Sequence, residues 1–219
     1  MHLEFRYEAE KEFLNLQAGN KSHNRSHPSD FSKKLEELGV DINSETTVTA
    51  ACRKIIAEEG ISAEEKIRLF SGGWRAVEQD VFERLTKLFE VENDDMEFIC
   101  YLSLNERCSY NTQEGYFFLN LFSAEPNMVC VHELLHLFTH KYIKLDISSQ
   151  QYNSYKESLT ELLNLEFRGL VERDDRGYSQ HQELRKYLAE KYTKGSGVIK
   201  LTKQLFADDT FLRLLKSVS

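Results

Sequence analysis

His132, Glu133 and His136 are the only polar residues in the ten-residue stretch VCVHELLHLF, positions 129 to 138. Burying two imidazoles and a carboxylate is costly unless they are satisfied. Such a segment therefore either pairs them within a core or uses them to hold something. On an α-helix successive residues turn by about 100° and rise about 1.5 Å, so His132 and His136 share one face about 6 Å apart along the axis. Their ring nitrogens can then meet at a single ion, at the roughly 2.0 to 2.1 Å that zinc requires. Continuing the same wheel, Val129, His132, Glu133, His136 and His140 form one narrow stripe. Cys130, Val131, Leu134, Leu135, Leu137, Phe138 and Tyr142 cover the remainder. A helix apolar over most of its circumference is buried, and its polar stripe faces an interior groove.

A second group of carboxylates follows in KESLTELLN, positions 156 to 164. Glu157 and Glu161 stand four apart on one helical face, opposite Tyr152, Tyr155, Leu159, Leu162 and Leu163. Two readings suit this pattern: a solvated acidic face, or a third metal ligand with a second carboxylate behind it. Glu166 is a further carboxylate of the same stretch, with Leu at position 170 where a partner would stand.

HExxH followed about twenty residues later by Glu-x-x-x-Asp or Glu resembles the gluzincin metallopeptidases, the thermolysin-like group of zincins. Here Glu157 follows His136 by 21 positions and ESLTE supplies the second half of the pattern. The resemblance covers positions 132 to 161, with no particular family resembled by the N-terminal third or the C-terminal helices. It implies one Zn2+ per chain held by His132, His136 and Glu157, with Glu133 handling protons. It also implies that Glu161, where many gluzincins carry Asp, accepts a hydrogen bond from a ligand histidine. Glu157 is preferred to Glu166 for its spacing and its partner. Three protein ligands leave a position for water, which Glu133 would deprotonate for peptide-bond hydrolysis. Tyr152, Tyr178 and His181 are candidates for a group beside the oxyanion. His140 is about 12 Å along the axis from His132, too far to share its ion, and is expected to line the groove. The alternative is a zincin scaffold retained as an interaction or regulatory module with little or no turnover.

The formal net charge of -8, from 36 acidic and 28 basic side chains, disfavours nucleic acid as a partner. A peptide or protein substrate is the partner expected. Glu at positions 4, 8, 10 and 12 interrupts any secretory apolar run, and no stretch approaches a membrane span. Cys52, Cys100, Cys108 and Cys130 form no CxxC pair. Reduced thiols in a cytoplasmic protein follow.

The elements that must position the site are read from periodicity. Residues 1 to 95 are expected to form a helical scaffold, with a polar loop at 18 to 30 that carries His23 and His27 as surface residues. Helices are expected from Ser29 or Asp30 to Gly39, from Asn43 or Ser44 to Gly60, and from Trp74 to Phe89 after an SGG break. Alternation predicts strands over 96 to 104 and 115 to 122, the second being either an exposed edge for a peptide or a core strand. Helices follow over 126 to 144, opened by Pro126 with Ser123 or Glu125 nearby, and over 149 to 170, with further helices to the end. The fold class expected is α+β, mainly helical and zincin-like, with a small sheet preceding the HExxH helix. Residues 96 to 219 would form the catalytic region, in one compact unit with the scaffold.

Overall fold

In a computed structural model that describes residues 1–21, 29–92 and 95–218, the chain is α+β: mainly helical, with a four-stranded sheet. His23 and His27 lie outside the described residues. Contacts divide the chain into two interleaved units, Met1–Ala76 with Met96–Pro126, and Val77–Asp95 with Asn127–Ser219. This is a different partition from the division at position 95 that the sequence suggests.

The first unit opens with a strand in the region expected to be wholly helical. Leu3 and Phe5 of β1 (His2–Arg6) are buried while His2 and Glu4 are exposed. This is the period-2 pattern of a half-buried strand, over a stretch too short to stand out. Next come α1 (Ala9–Lys21), α2 (Asp30–Glu37), α3 (Glu45–Glu58) and α4 (Ala63–Arg75). Ser29, Ser44 and Ser62 cap the last three through their side-chain oxygens, the role for which their residue type is suited. The buried face of α1 includes Glu12 and Asn15, so its amphipathic pattern is muted and sequence periodicity passes over it.

The helix break expected at SGG is not there. Helix α4 runs through Gly72 and Gly73 to Arg75, and the break falls at Ala76 and Val77. Each glycine costs a helix about 1 kcal/mol relative to Ala. Burial of Phe70 and Trp74 on either side holds the turn together, so Trp74 lies in the last turn of α4 and does not begin the next helix.

The sheet is completed by β2 (Glu97–Ser103), β3 (Tyr110–Asn111) and β4 (Tyr116–Asn120), in the order β1-β2-β4-β3. β1, β2 and β4 are mutually parallel along the sheet, and β3 pairs antiparallel with β4. Strand β4 thus has neighbours on both sides, and Tyr116 to Leu119 are buried. Of the two roles open to this aromatic strand, the core one is observed.

The second unit holds α5 (Glu78–Phe89), α6 (Pro126–Tyr142) beyond its first residue, α7 (Ser149–Leu159), α8 (Glu161–Glu166), a 3-10 turn (Ser179–His181), α9 (Gln182–Lys191), α10 (Val198–Phe206) and α11 (Asp209–Ser217). Helix α9 packs against α7, α8, α10 and α11. The apolar circumference of α6 is buried as its wheel requires, and Phe138 meets Phe89 of α5 at a ring separation of 5.4 Å. The single helix expected over 149 to 170 is instead two, α7 and α8, divided at Thr160.

Among the described residues no helix is long and apolar enough to cross a membrane. The four cysteines are free thiols, with Cys52, Cys100 and Cys130 buried.

Candidate metal centre

Helix α6 carries His132 and His136 one turn apart, and their rings meet edge to face with centroids 4.5 Å apart. Helix α7 brings Glu157 to them. Glu157 Oε1 lies 3.5 Å from His136 Nε2, and Oε2 lies 3.9 Å from His132 Nε2. One donor atom from each of the three residues falls within 4.8 Å of the others. Donors bound tetrahedrally to one zinc at roughly 2.0 to 2.1 Å stand about 3.3 Å from one another. The observed set therefore needs only small inward shifts. Two imidazole nitrogens and a carboxylate oxygen are also the donor chemistry of zinc sites that keep a position open.

The charge states suit a cation. Burial pushes the His132 and His136 pKa values down, that of His136 to about 3, so both rings are neutral near neutral pH. Burial alone would raise Glu157, but His136, Lys156 and His132 together outweigh it and hold the carboxyl far below its usual range. Neutral imidazoles and an ionised carboxylate are the forms that bind metal.

Asp175 was not singled out by sequence, because it lies on a loop and belongs to no spaced motif. Its Oδ2 approaches Nδ1 of His132, the ring nitrogen turned away from Glu157, at 4.0 Å. The position of this carboxylate is built with care. Asn164 accepts from the Asp175 backbone N–H at 2.7 Å and donates to its carbonyl at 2.9 Å. Arg185, 2% exposed, donates to Asp175 Oδ2 at 2.9 Å and to its carbonyl at 2.7 Å. Gly177, at φ 58°, adds its N–H to the other carboxylate oxygen, and a side-chain carbon there would lie 2.7 Å from the guanidinium. That buried guanidinium cannot swing aside as a surface side chain would, so the close approach requires glycine.

Glu161 takes a different place from the one the family pattern gives it. Its carboxylate pairs with Arg185 at 2.9 Å and accepts from Asn164 at 3.3 Å. The helix is interrupted between the two carboxylates, with α7 ending at Leu159 and α8 starting at Glu161. Thr160, between them, donates its hydroxyl proton to the Glu157 carbonyl and accepts from Arg185. Arg185 thus ties Glu161, Thr160 and Asp175 together, and Asp175 is the carboxylate beside Nδ1 of His132.

The remaining candidates are spread unevenly. Glu133, 7% exposed, sits on α6 directly after His132. His140 is exposed and stacks edge-on with Tyr152 at 5.9 Å, at the far end of α6. Tyr178 is 47% exposed and meets the ring of His181 at 6.0 Å. His181 is buried, and its pKa is lowered by that burial against the opposing pull of Glu157. Its Nδ1 has no hydrogen-bond partner among the described residues. Glu166 is engaged elsewhere, accepting from the Tyr192 hydroxyl at 2.6 Å and the Gly195 N–H at 3.0 Å.

The start of α6 is held from the same loop that carries Asp175. Glu172 accepts from the backbone N–H groups of Asn127 and Met128 at 2.9 and 2.8 Å. A carboxylate there satisfies two free donors and complements the helix dipole. Residues 172 to 175 therefore hold the origin of the histidine helix and set a carboxylate 4.0 Å from its first histidine.

No family model, curated protein or solved structure matches this chain.

Proposed function

We propose that this chain is a zinc-dependent metallopeptidase of gluzincin type, with His132, His136 and Glu157 as the metal ligands. One observation carries the reading: two neutral imidazoles, His136 buried and His132 partly buried, and an ionised carboxylate, from two helices, with donor atoms within 4.8 Å of one another. Zinc, when bound there, supplies a Lewis acid that activates water and polarises a scissile amide carbonyl. The other steps belong to side chains. Glu133, on the ligand helix and shielded from solvent, takes the proton from the attacking water and delivers it to the leaving amine. Asp175 faces Nδ1 of His132 at 4.0 Å, and its charge favours a proton on that nitrogen, which leaves Nε2 for the metal. His181, buried and electrostatically coupled to Glu157, is the candidate best suited to donate to the charge developing on the substrate carbonyl. The substrate class is a peptide or protein.

Glu133→Gln keeps the side chain's shape and removes its basicity. In a defined peptide library, with zinc measured in parallel, this variant is expected to retain about one zinc per chain while cleavage falls at least about 100-fold. Cleavage at the parental rate would remove Glu133 from the proton-transfer role. Zinc bound by the parent without cleavage of any peptide would instead favour an interaction module built on the same scaffold.

A further inference from the structure

A cation already stands beside the proposed metal position. Lys156 precedes Glu157 on α7, is buried, and holds its Nζ 3.0 Å from Glu157 Oε1. This is the same oxygen that lies 3.5 Å from His136 Nε2. A buried lysine is rare unless its charge is compensated, and here the compensating carboxylate is a member of the ligand set. We propose that Lys156 and the metal compete for Glu157: the ammonium holds the ligand set in place before the ion arrives, and its presence weakens the ion's binding. This inference rests on the metal assignment made above and concerns how that site is loaded.

The geometry bounds the competition. An ion bonded to Oε1 at roughly 2.0 to 2.1 Å lies within about 5 Å of an ammonium that is 3.0 Å from the same atom, whatever the direction of approach. Two positive charges that close repel appreciably inside a protein. Loading the site therefore requires the ammonium to loosen its hold on Glu157, and the free energy of that ion pair is subtracted from metal affinity. The converse holds for the zinc-free protein. Without Lys156 the carboxylate would lose an ionic partner in a site with little access to water, which destabilises the fold. Lysine at position 156 thus trades metal affinity for a site that is assembled in advance.

The test measures zinc affinity by competition with a chromophoric chelator, and thermal unfolding with and without zinc, for the parent and three variants. Lys156→Met is expected to bind zinc at least tenfold more tightly than the parent. Its zinc-free form should melt at a lower temperature than the zinc-free parent, with the gap closing once zinc is added. Lys156→Gln keeps an N–H donor for Oε1 without the charge and should show the same tightening, whereas Lys156→Arg keeps the charge and should match the parent. A Lys156→Met chain that folds only when zinc is supplied is the same result in stronger form. Unchanged or weaker zinc binding by Lys156→Met and Lys156→Gln overturns the proposal, because a lysine that merely orients Glu157 would weaken binding when removed. Failure of the parent itself to take up zinc is a separate outcome, which removes the metal assignment along with the competition built on it.

Discussion

Two carboxylates shielded from water, Glu12 fully and Glu157 partly, one in each unit, are pushed in opposite directions. Glu12 in the first unit is 1% exposed and accepts from the Ser103 hydroxyl at 2.6 Å and the Leu104 N–H at 2.7 Å. Ser103 in turn accepts from Asn15, so the network around Glu12 is made of neutral groups. Burial raises its pKa to about 7, and the hydrogen bonds only partly oppose that rise. Glu157 is also well shielded, but His136, His132 and Lys156 surround it and keep it ionised. A carboxylate among neutral donors tolerates a proton and ties a helix to a strand end. A carboxylate among cationic and imidazole nitrogens stays charged, and can hold a metal.

The largest expected effect separates these two roles outright. Glu157→Ala should lose zinc as completely as His136→Ala does, because two remaining ligands do not hold the ion tightly. Glu12→Gln should keep about one zinc per chain. Metal analysis after dialysis reads both, and tight zinc binding by Glu157→Ala would break the contrast.

A smaller effect distinguishes the two carboxylates held by Arg185. Asp175→Asn should weaken zinc binding by about 10- to 100-fold, the range for a group that orients a ligand histidine. Glu161→Gln should change zinc affinity less than Asp175→Asn does, since its contacts are to Arg185 and Asn164. Zinc titrations of the pair rank them, and the reverse order would restore Glu161 to the role the family pattern implies.

The smallest effect is on stability, and it has opposite signs in the two units. Burial raises the Glu12 pKa from an ordinary 4.5 to about 7, so the native state keeps a proton that the unfolded chain releases. Its contribution is fully present below pH 4.5 and fades as pH rises to about 7. In the zinc-free second unit the His136 pKa is lowered from 6.5 to about 3. There the unfolded chain gains the proton first, so stability is lost as pH falls below 6.5. Denaturant titrations of the zinc-free protein from pH 4.5 to 7.5 should show that Glu12→Gln abolishes the alkaline loss and leaves the acid loss intact. Equal slopes for the parent and Glu12→Gln would remove Glu12 as the source.

What could be read from the chain alone was local. His132 and His136 share a face because four residues make about one helical turn, and the apolar neighbours that bury them are contiguous with them in sequence. Caps at Ser29 and Ser44 were legible for the same reason: a cap acts on backbone within a turn of itself. Glu157 was legible as a spaced carboxylate, although the two-helix geometry that brings it to the histidines is tertiary. The strand β1 escaped notice because five residues carry little periodicity, and α1 because Glu12 and Asn15 occupy its buried face.

Only the tertiary structure decided which carboxylate faces His132. Glu161 pairs with Arg185, and Asp175 is fixed by Asn164 and Arg185 from two helices and by Gly177 of its own loop. It likewise set Lys156 against Glu157, since a lysine on an amphipathic helix reads as a surface charge until the surrounding helices bury it. Helical periodicity specifies which side chains share a face over a turn or two. It carries no information on where a helix breaks under long-range hydrogen bonds, or on which loop closes over the face. Those depend on contacts between residues far apart in sequence, and at this site they chose the partners of His132 and Glu157.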